Sequence, residues 1–123
     1  MAQKSETGKL GEGLARAFLK KQGYQILDER FRTRFGELDI VCRKGRTLVF
    51  VEVRSAQESG DFLPEESVGP QKISRIIKSA QTWLSKKRLQ GFDLRFDLIT
   101  VKFSADAPVI SHYPAAFESS LDF

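Results

Sequence analysis

Apolar and polar positions along this chain change period several times, and each change marks an element. Between residues 6 and 22, Leu10, Leu14, Ala17 and Phe18 recur at helical spacing, Ser5 or Thr7 stands where a cap is needed, and Gly23 follows. That pattern predicts a helix closed by a glycine C-cap. Tyr24 to Phe31, Glu37 to Arg43 and Thr47 to Arg54 read as three strands, the last two joined by a short turn containing Gly45. Pro70 opens a second helix, since proline suits a first helical position. Its Ile73, Ile76, Ile77, Ala80, Trp83 and Leu84 fit the i, i+3, i+4, i+7 template, and Gly91 is the expected stop. Leu94 to Phe103 reads as a fourth strand. In the weakly patterned tail, 104–123, only Val109-Ile110-Ser111 suggests a further edge strand.

The order helix, three strands, helix, strand predicts an α/β fold with a mixed central sheet flanked by helices. The fourth strand returns through the Pro70 helix, which sets it parallel to a neighbour. A chain of 123 residues is read as one domain, 1–123, with its core at about 6–103. Residues 55–69 form a polar, acidic loop, and loops of this length inside a compact domain are commonly functional.

Composition narrows the partners. Hydrophobic content of 41% and charged content of 29% fit a globular protein. No apolar run reaches membrane-spanning length, and Met1 to Glu6 has no apolar signal region, so a cytoplasmic protein with no membrane partner is expected. The single Cys42 forms no internal disulfide, which agrees with a reducing compartment. The net charge of +4 is unevenly spread: residues 1–54 carry +5, 55–69 carry −4, 70–90 carry +6 and 91–123 carry −3. Two basic segments point to nucleic acid or another polyanion. A solvated lysine-rich surface is the alternative.

Within the most apolar strand, Glu52 is out of place, because a buried carboxylate is costly unless paired or bound to a metal. The preceding strand opens with Gly36-Glu37-Leu38-Asp39. Alternation puts Glu37, Asp39 and Val41 on one face and Leu38, Ile40 and Cys42 on the other. With Gly45-Arg46 as a two-residue turn, Lys44 faces Thr47 and Asp39 lies opposite Glu52, at a Cβ separation of roughly 4.5–5.5 Å. Two carboxylates so placed suit Mg²⁺, which binds through one or two of them and keeps several waters. A fold-stabilising network of these acids with Arg34 or Arg54 is the competing reading. Arg30, Arg32 and Arg34 alternate with Phe31, Thr33 and Phe35, a row suited to phosphate contacts or to guarding a strand edge. Lys72, Arg75, Lys78 and Lys86 lie off the apolar stripe of their helix and either extend that basic surface or are simply solvated. His112 stands alone, with no Ser-His-Asp, Cys-His or zinc-ligand spacing in view.

Gly36-Glu37-Leu38-Asp39, followed thirteen residues on by Glu52-Val53-Arg54, resembles the PD-(D/E)XK nuclease signature of the restriction-endonuclease-like superfamily, which includes archaeal Holliday junction resolvases. More closely, the chain resembles the bacterial YraN-like family. The matching pieces are Gly8-x-x-Gly11-Glu12, Arg32-x-Arg34-Phe35-Gly36-Glu37-Leu38-Asp39, Phe50-Val51-Glu52-Val53-Arg54, Lys72, and Arg95-Phe96-Asp97, spanning about residues 8 to 103. The resemblance implies a restriction-endonuclease-like fold. It makes Asp39 and Glu52 metal ligands, the Val53 carbonyl a third, and Glu12 a helix carboxylate reaching toward the ion. Arg54 stands at the superfamily's usual catalytic lysine position, where it can hold a phosphate but cannot act as a neutral amine. Lys72 supplies the missing ammonium if its helix starts beside the sheet. Arg30 stands where the closer family often has asparagine. The resulting expectation is an Mg²⁺- or Mn²⁺-dependent DNA endonuclease. Its catalytic residues are Glu12, Asp39, Glu52, Arg54 and Lys72, and its DNA contacts are Arg30, Arg32, Arg34 and Arg75. Branched DNA as substrate and a homodimer follow only from the resolvase resemblance. The alternatives are a non-catalytic nucleic-acid-binding module with a degenerate site, and a scaffold that contacts a protein through 55–69.

Overall fold

The computed structural model describes residues 6–57 and 68–117. The elements run α1 (Glu6–Lys21), β1 (Gln25–Thr33), β2 (Gly36–Lys44), β3 (Thr47–Gln57), α2 (Pro70–Lys87), β4 (Asp93–Phe103) and β5 (Val109–Phe117). The five strands form one sheet in the order β1-β2-β3-β4-β5. β3 and β4 are parallel and every other neighbouring pair is antiparallel, giving the expected α/β mixed sheet.

Each helix covers one face. Against α1 pack Ile40, Cys42, Val49, Val51, Val53, Ile99 and Val101. Against α2 pack Leu38, Val41, Leu48, Phe50 and Phe96, with Trp83 fully inside. β3 is apolar on both faces because it is central and parallel to β4. Burying the side chains of Leu48, Val49, Phe50 and Val51 contributes about 1.5–3 kcal/mol each relative to exposure.

Several local expectations are corrected. Leu10 is 60% exposed and Ala17 is also exposed. Leu14 and Phe18 do pack against the core as expected, half-buried, while the buried residues of α1 are Gly11, Glu12, Ala15 and Leu19. Gly11 explains the rotation: a Cβ there would overlap Ser55 Oγ and lie 3.1 Å from Ser55 Cβ, so glycine lets the helix settle onto β3. Thr7 lies inside α1 and accepts a hydrogen bond from Gln57 Nε2 at 3.2 Å, while Ser5 lies outside the described residues. Gly23, at φ 92, closes α1 as expected, with Tyr24 N–H donating to Leu19 O at 3.0 Å. α2 ends earlier than Gly91: Arg88 takes the left-handed cap conformation at φ 54 and its N–H bonds back to Leu84 and Ser85. The tail carries a nine-residue strand, β5, where the sequence suggests only three residues. β3 runs on to Gln57, so the expected loop begins later; residues 58–67, and with them the scaffold reading, lie outside the described residues.

Candidate metal and phosphate site

β2 and β3 pair in the expected register, Lys44↔Thr47 through Ile40↔Val51, and the ladder stops there. Beyond it the Asp39 carboxylate takes over, its Oδ2 accepting the Val53 N–H at 2.9 Å. Alternation along β2 also breaks at this point. Leu38 packs with Val41 on the α2 side, whereas Ile40 and Cys42 face α1, which corrects the two faces read from the sequence. On β1 the pairs Glu29↔Ile40 and Phe31↔Leu38 set Arg30 across from Asp39, and Arg30 adopts a left-handed φ of 49°. A non-glycine residue in that region twists the strand and re-aims its neighbours. On the strand opposite, Asp39 and Glu37 lie close to Glu12 of α1.

Glu12, Glu37 and Asp39 each offer one carboxylate oxygen, and these three atoms lie within 4.8 Å of one another. Glu12 and Asp39 are both only 4% exposed. Arg30 Nε donates to Glu12 Oε2 at 3.2 Å, and Arg32 Nε to Glu37 Oε2 at 3.3 Å. Glu37 Oε1 is buried and accepts no hydrogen bond among the described residues. Three carboxylate oxygens gathered this closely would suit a divalent ion that keeps part of its water shell. All-oxygen donors are the right chemistry for one.

Glu52 is not a member of that trio. It is buried and pairs with Lys72 Nζ at 3.4 Å, so the start of α2 does lie beside the sheet. It borders the same small void as Glu37 and Asp39, beneath Ile76. The described contact of Val53 with the site is made through its N–H. Arg54 is half-buried on β3, in register with Thr100, and does not line the groove described next.

That groove has a volume of about 850 Å³ and opens over Glu37 and Asp39. Its walls carry Lys9, Arg30, Arg32, Arg34, Lys72 and Arg75, so all four expected DNA-contacting arginines converge although they come from β1, the turn after it and α2. Lys78 instead sits over the Phe35 ring at 5.6 Å and Lys86 over Phe31 at the same distance.

A second polar cluster escaped the sequence reading. Asp97 is fully buried and accepts two hydrogen bonds from Arg95, both at 2.8 Å, one from the Ala115 N–H at 3.0 Å, and a contact from His112 Nε2 at 2.7 Å. Burial opposes ionisation of Asp97, but His112, Arg95 and the Ala115 N–H outweigh it and hold the carboxyl below its ordinary range. Arg95 also donates to Tyr24 Oη at 2.7 Å. His112 is therefore not isolated. Two charged residues two apart in an apolar strand, Arg95 and Asp97, were the available signal. The network ties β5 to β4 beside α1 and lines no part of the groove.

The family model described as "Uncharacterised protein family UPF0102" matches residues 11–101. The chain belongs to UPF0102. A UPF0102 protein of Syntrophus aciditrophicus is 44% identical over 118 residues, covering 96% of this chain and 93% of that protein. One of Anaeromyxobacter dehalogenans is 45% identical over 111 residues, covering 90% and 83%. The UPF0102 protein GSU0650 of Geobacter sulfurreducens is 46% identical over 112 residues, covering 90% and 88%. This is the YraN family that the motifs suggested, and the UPF0102 match runs from Gly11 through β4, spanning both the acidic trio and the Glu52–Lys72 pair. No helix among the described residues is long and apolar enough to cross a membrane.

Proposed function

We propose that this UPF0102 protein is a divalent-metal-dependent phosphodiesterase acting on DNA, with Mg²⁺ or Mn²⁺ held by Glu12, Glu37 and Asp39. One observation carries the reading: Glu37 and Asp39 line a groove whose walls supply six cations, and Glu12 brings a third carboxylate oxygen within 4.8 Å of theirs. Carboxylates alone would repel a polyanion. Cations alone would bind one without chemistry. Together they fit a phosphate backbone passing over an ion. A divalent ion there stabilises charge developing on phosphoryl oxygens and makes water a better nucleophile at neutral pH.

The protein's own groups have separable tasks. Arg32, Arg34 and Arg75 hold flanking phosphates and set the strand's path, contacts that position without reading sequence. Arg30 orients Glu12 through their hydrogen bond. Lys72 places an ammonium where Glu52 and the groove meet, while Arg54 stays outside it. That geometry favours Lys72 over Arg54 for polarising the scissile phosphate. Glu52 pairs with Lys72 and borders the void shared with Asp39. Branched DNA and a homodimer are carried only by the resolvase resemblance.

A second reading has one observation in its favour. Glu52, the acid of the Glu-x-Arg motif, is engaged with Lys72 rather than grouped with the other three carboxylates. In a non-catalytic binding module this pair is structural and the arginines act alone.

Cleavage of labelled duplex, single-stranded and four-way-junction DNA separates the two. The assay runs in Mg²⁺, Mn²⁺ or chelator, with wild type and Asp39→Asn. Metal-dependent cutting that Asp39→Asn abolishes supports the enzyme. Binding that survives chelation, with no cutting of any form, supports the module.

A further inference from the structure

We propose that Phe35 is a stacking platform for an unpaired nucleobase, so that the groove takes DNA containing an unpaired stretch in preference to continuous duplex. The inference rests on the phosphodiester reading and deepens it.

Phe35 sits in the turn between β1 and β2, lines the groove, and packs with neither core cluster. A half-buried aromatic outside both cores is left with a ring available to something else. The turn that carries it is tightly held. Thr33 Oγ1 accepts the Phe35 N–H at 3.0 Å, bonds Gly36 O at 3.1 Å, and meets Ser79 Oγ of α2 at 2.8 Å. The ring is therefore presented from a fixed backbone, which limits the ordering cost of binding.

Two cations sit over this ring, Arg34 at 4.8 Å and Lys78 at 5.6 Å from its centroid. Both side chains are exposed. An exposed cation–ring contact is worth about two- to fivefold in an equilibrium constant. A base stacked on an aromatic is worth about five- to 150-fold. A stacking base therefore displaces a cation from the ring. Continuous duplex offers no such gain, because its base faces are already stacked on one another. Paired DNA meets only the cations of the walls.

Binding is measured by fluorescence anisotropy in chelator, so that no strand is cut. The probes are a labelled single strand, a continuous duplex, and the same duplex with a short single-stranded gap. Phe35→Ala and Phe35→Leu test the ring, and Phe35→Trp restores one. Wild type is expected to prefer the single-stranded and gapped probes by severalfold to about 70-fold, the stacking gain less one displaced cation–ring contact. Phe35→Leu and Phe35→Ala lose that preference and keep their affinity for duplex, while Phe35→Trp retains it. A 2-aminopurine in the gap is quenched by wild type and not by Phe35→Leu. Equal affinity of wild type for all three probes, or a preference that survives in Phe35→Leu, overturns the stacking role. Metal-dependent cutting alongside that result leaves the phosphodiester reading standing. Failure to bind any probe at low salt, both in chelator and in Ca²⁺, overturns both.

Discussion

The Asp39 carboxylate accepts the Val53 N–H at 2.9 Å at the point where β2 and β3 stop pairing. A side chain thus replaces a ladder bond, and the same carboxylate stands in the acidic trio with Glu12 and Glu37. Structure and chemistry share one residue, but they ask different things of it. The backbone needs an acceptor, whereas a cation needs a charge.

That difference separates two substitutions. Asp39→Asn still presents an amide oxygen to Val53, so this variant is expected to stay within about 1 kcal/mol of wild type in urea unfolding. Asp39→Ala leaves a buried N–H without its acceptor and is expected to lose about 1–3 kcal/mol. Both abolish metal-dependent cutting. An Asp39→Asn protein as unstable as Asp39→Ala would mean that the charge, not the acceptor, holds this junction.

Gly11 gives a packing prediction with a definite sign. Alanine is favoured over glycine in a helix by about 1 kcal/mol. Here its Cβ would overlap Ser55 Oγ, and overpacking costs about 1–3 kcal/mol. Gly11→Ala is therefore expected to lower the thermal midpoint, and Gly11→Ala with Ser55→Ala to recover most of the loss. Absence of recovery would place the conflict with the Ser55 backbone rather than its hydroxyl.

The same contact shows how far the sequence could be read. Strand β3, helix α2 and the hairpin register were legible, because apolar runs and a glycine-containing turn state them locally. The face of α1 was read in part: Leu14 and Phe18 do meet the core, whereas Leu10 does not, and the buried centre of the face lies one position on. Its burial follows from how closely Gly11 can approach β3, and apolar spacing alone had favoured Leu10. The change of face at Asp39 was invisible for a similar reason. It falls where β2 stops pairing with β3 and where Arg30 on the neighbouring strand is left-handed, and no local pattern announces either feature. His112 meets Asp97 only after β5 folds back along β4, so no local pattern connects them. Glu12 came through a family motif and the groove arginines through their alternation on β1 and their place off the apolar stripe of α2, whereas the membership of Glu37 in the trio needed three dimensions.

Asp97 sets an acid limit on stability. Its folded pKa lies below the ordinary value, despite burial, because His112, Arg95 and Ala115 stabilise the ionised form. Between the folded value and about 3.9 the unfolded chain binds a proton that the native carboxylate refuses. The contribution is whole above about pH 4 and is lost as pH falls through the folded value. Asp97→Asn is expected to flatten this dependence. It also lowers stability at neutral pH by about 1–3 kcal/mol, because Arg95, His112 and the Ala115 N–H lose a charged acceptor while Arg95 stays partly in water. Urea midpoints compared between about pH 3 and 7 check both statements.

Cys42 reports on the same neighbourhood. Burial first, and then the Asp97 charge, push its thiol up to about 12, with Arg95 opposing weakly. Only a thiolate reacts readily, so native protein is expected to resist alkylation at about pH 8 and to label when it unfolds. Because the folded thiol keeps its proton while the unfolded one loses it, this group costs stability above about pH 8.5. Rapid labelling without denaturant would show that the α1 side of the sheet opens locally.

Lys72 and Lys21 provide the contrast that tests the groove. Lys72 lines it and pairs with Glu52, whereas Lys21 is exposed at the end of α1 and lies outside it. If Lys72 neutralises a phosphate, Lys72→Ala should reduce the slope of log affinity against log salt by about 1, measured on DNA in chelator. Lys21→Ala carries the same loss of net charge and should leave the slope unchanged. Lys72→Ala also deprives buried Glu52 of its described ion-pair partner, so a stability loss of about 1–3 kcal/mol accompanies it. Lys72→Arg keeps the charge but changes the shape of the head, and is expected to keep the slope while lowering the rate of metal-dependent cutting. Equal slopes for Lys72→Ala and Lys21→Ala would mean that DNA meets the protein's overall positive field rather than this groove.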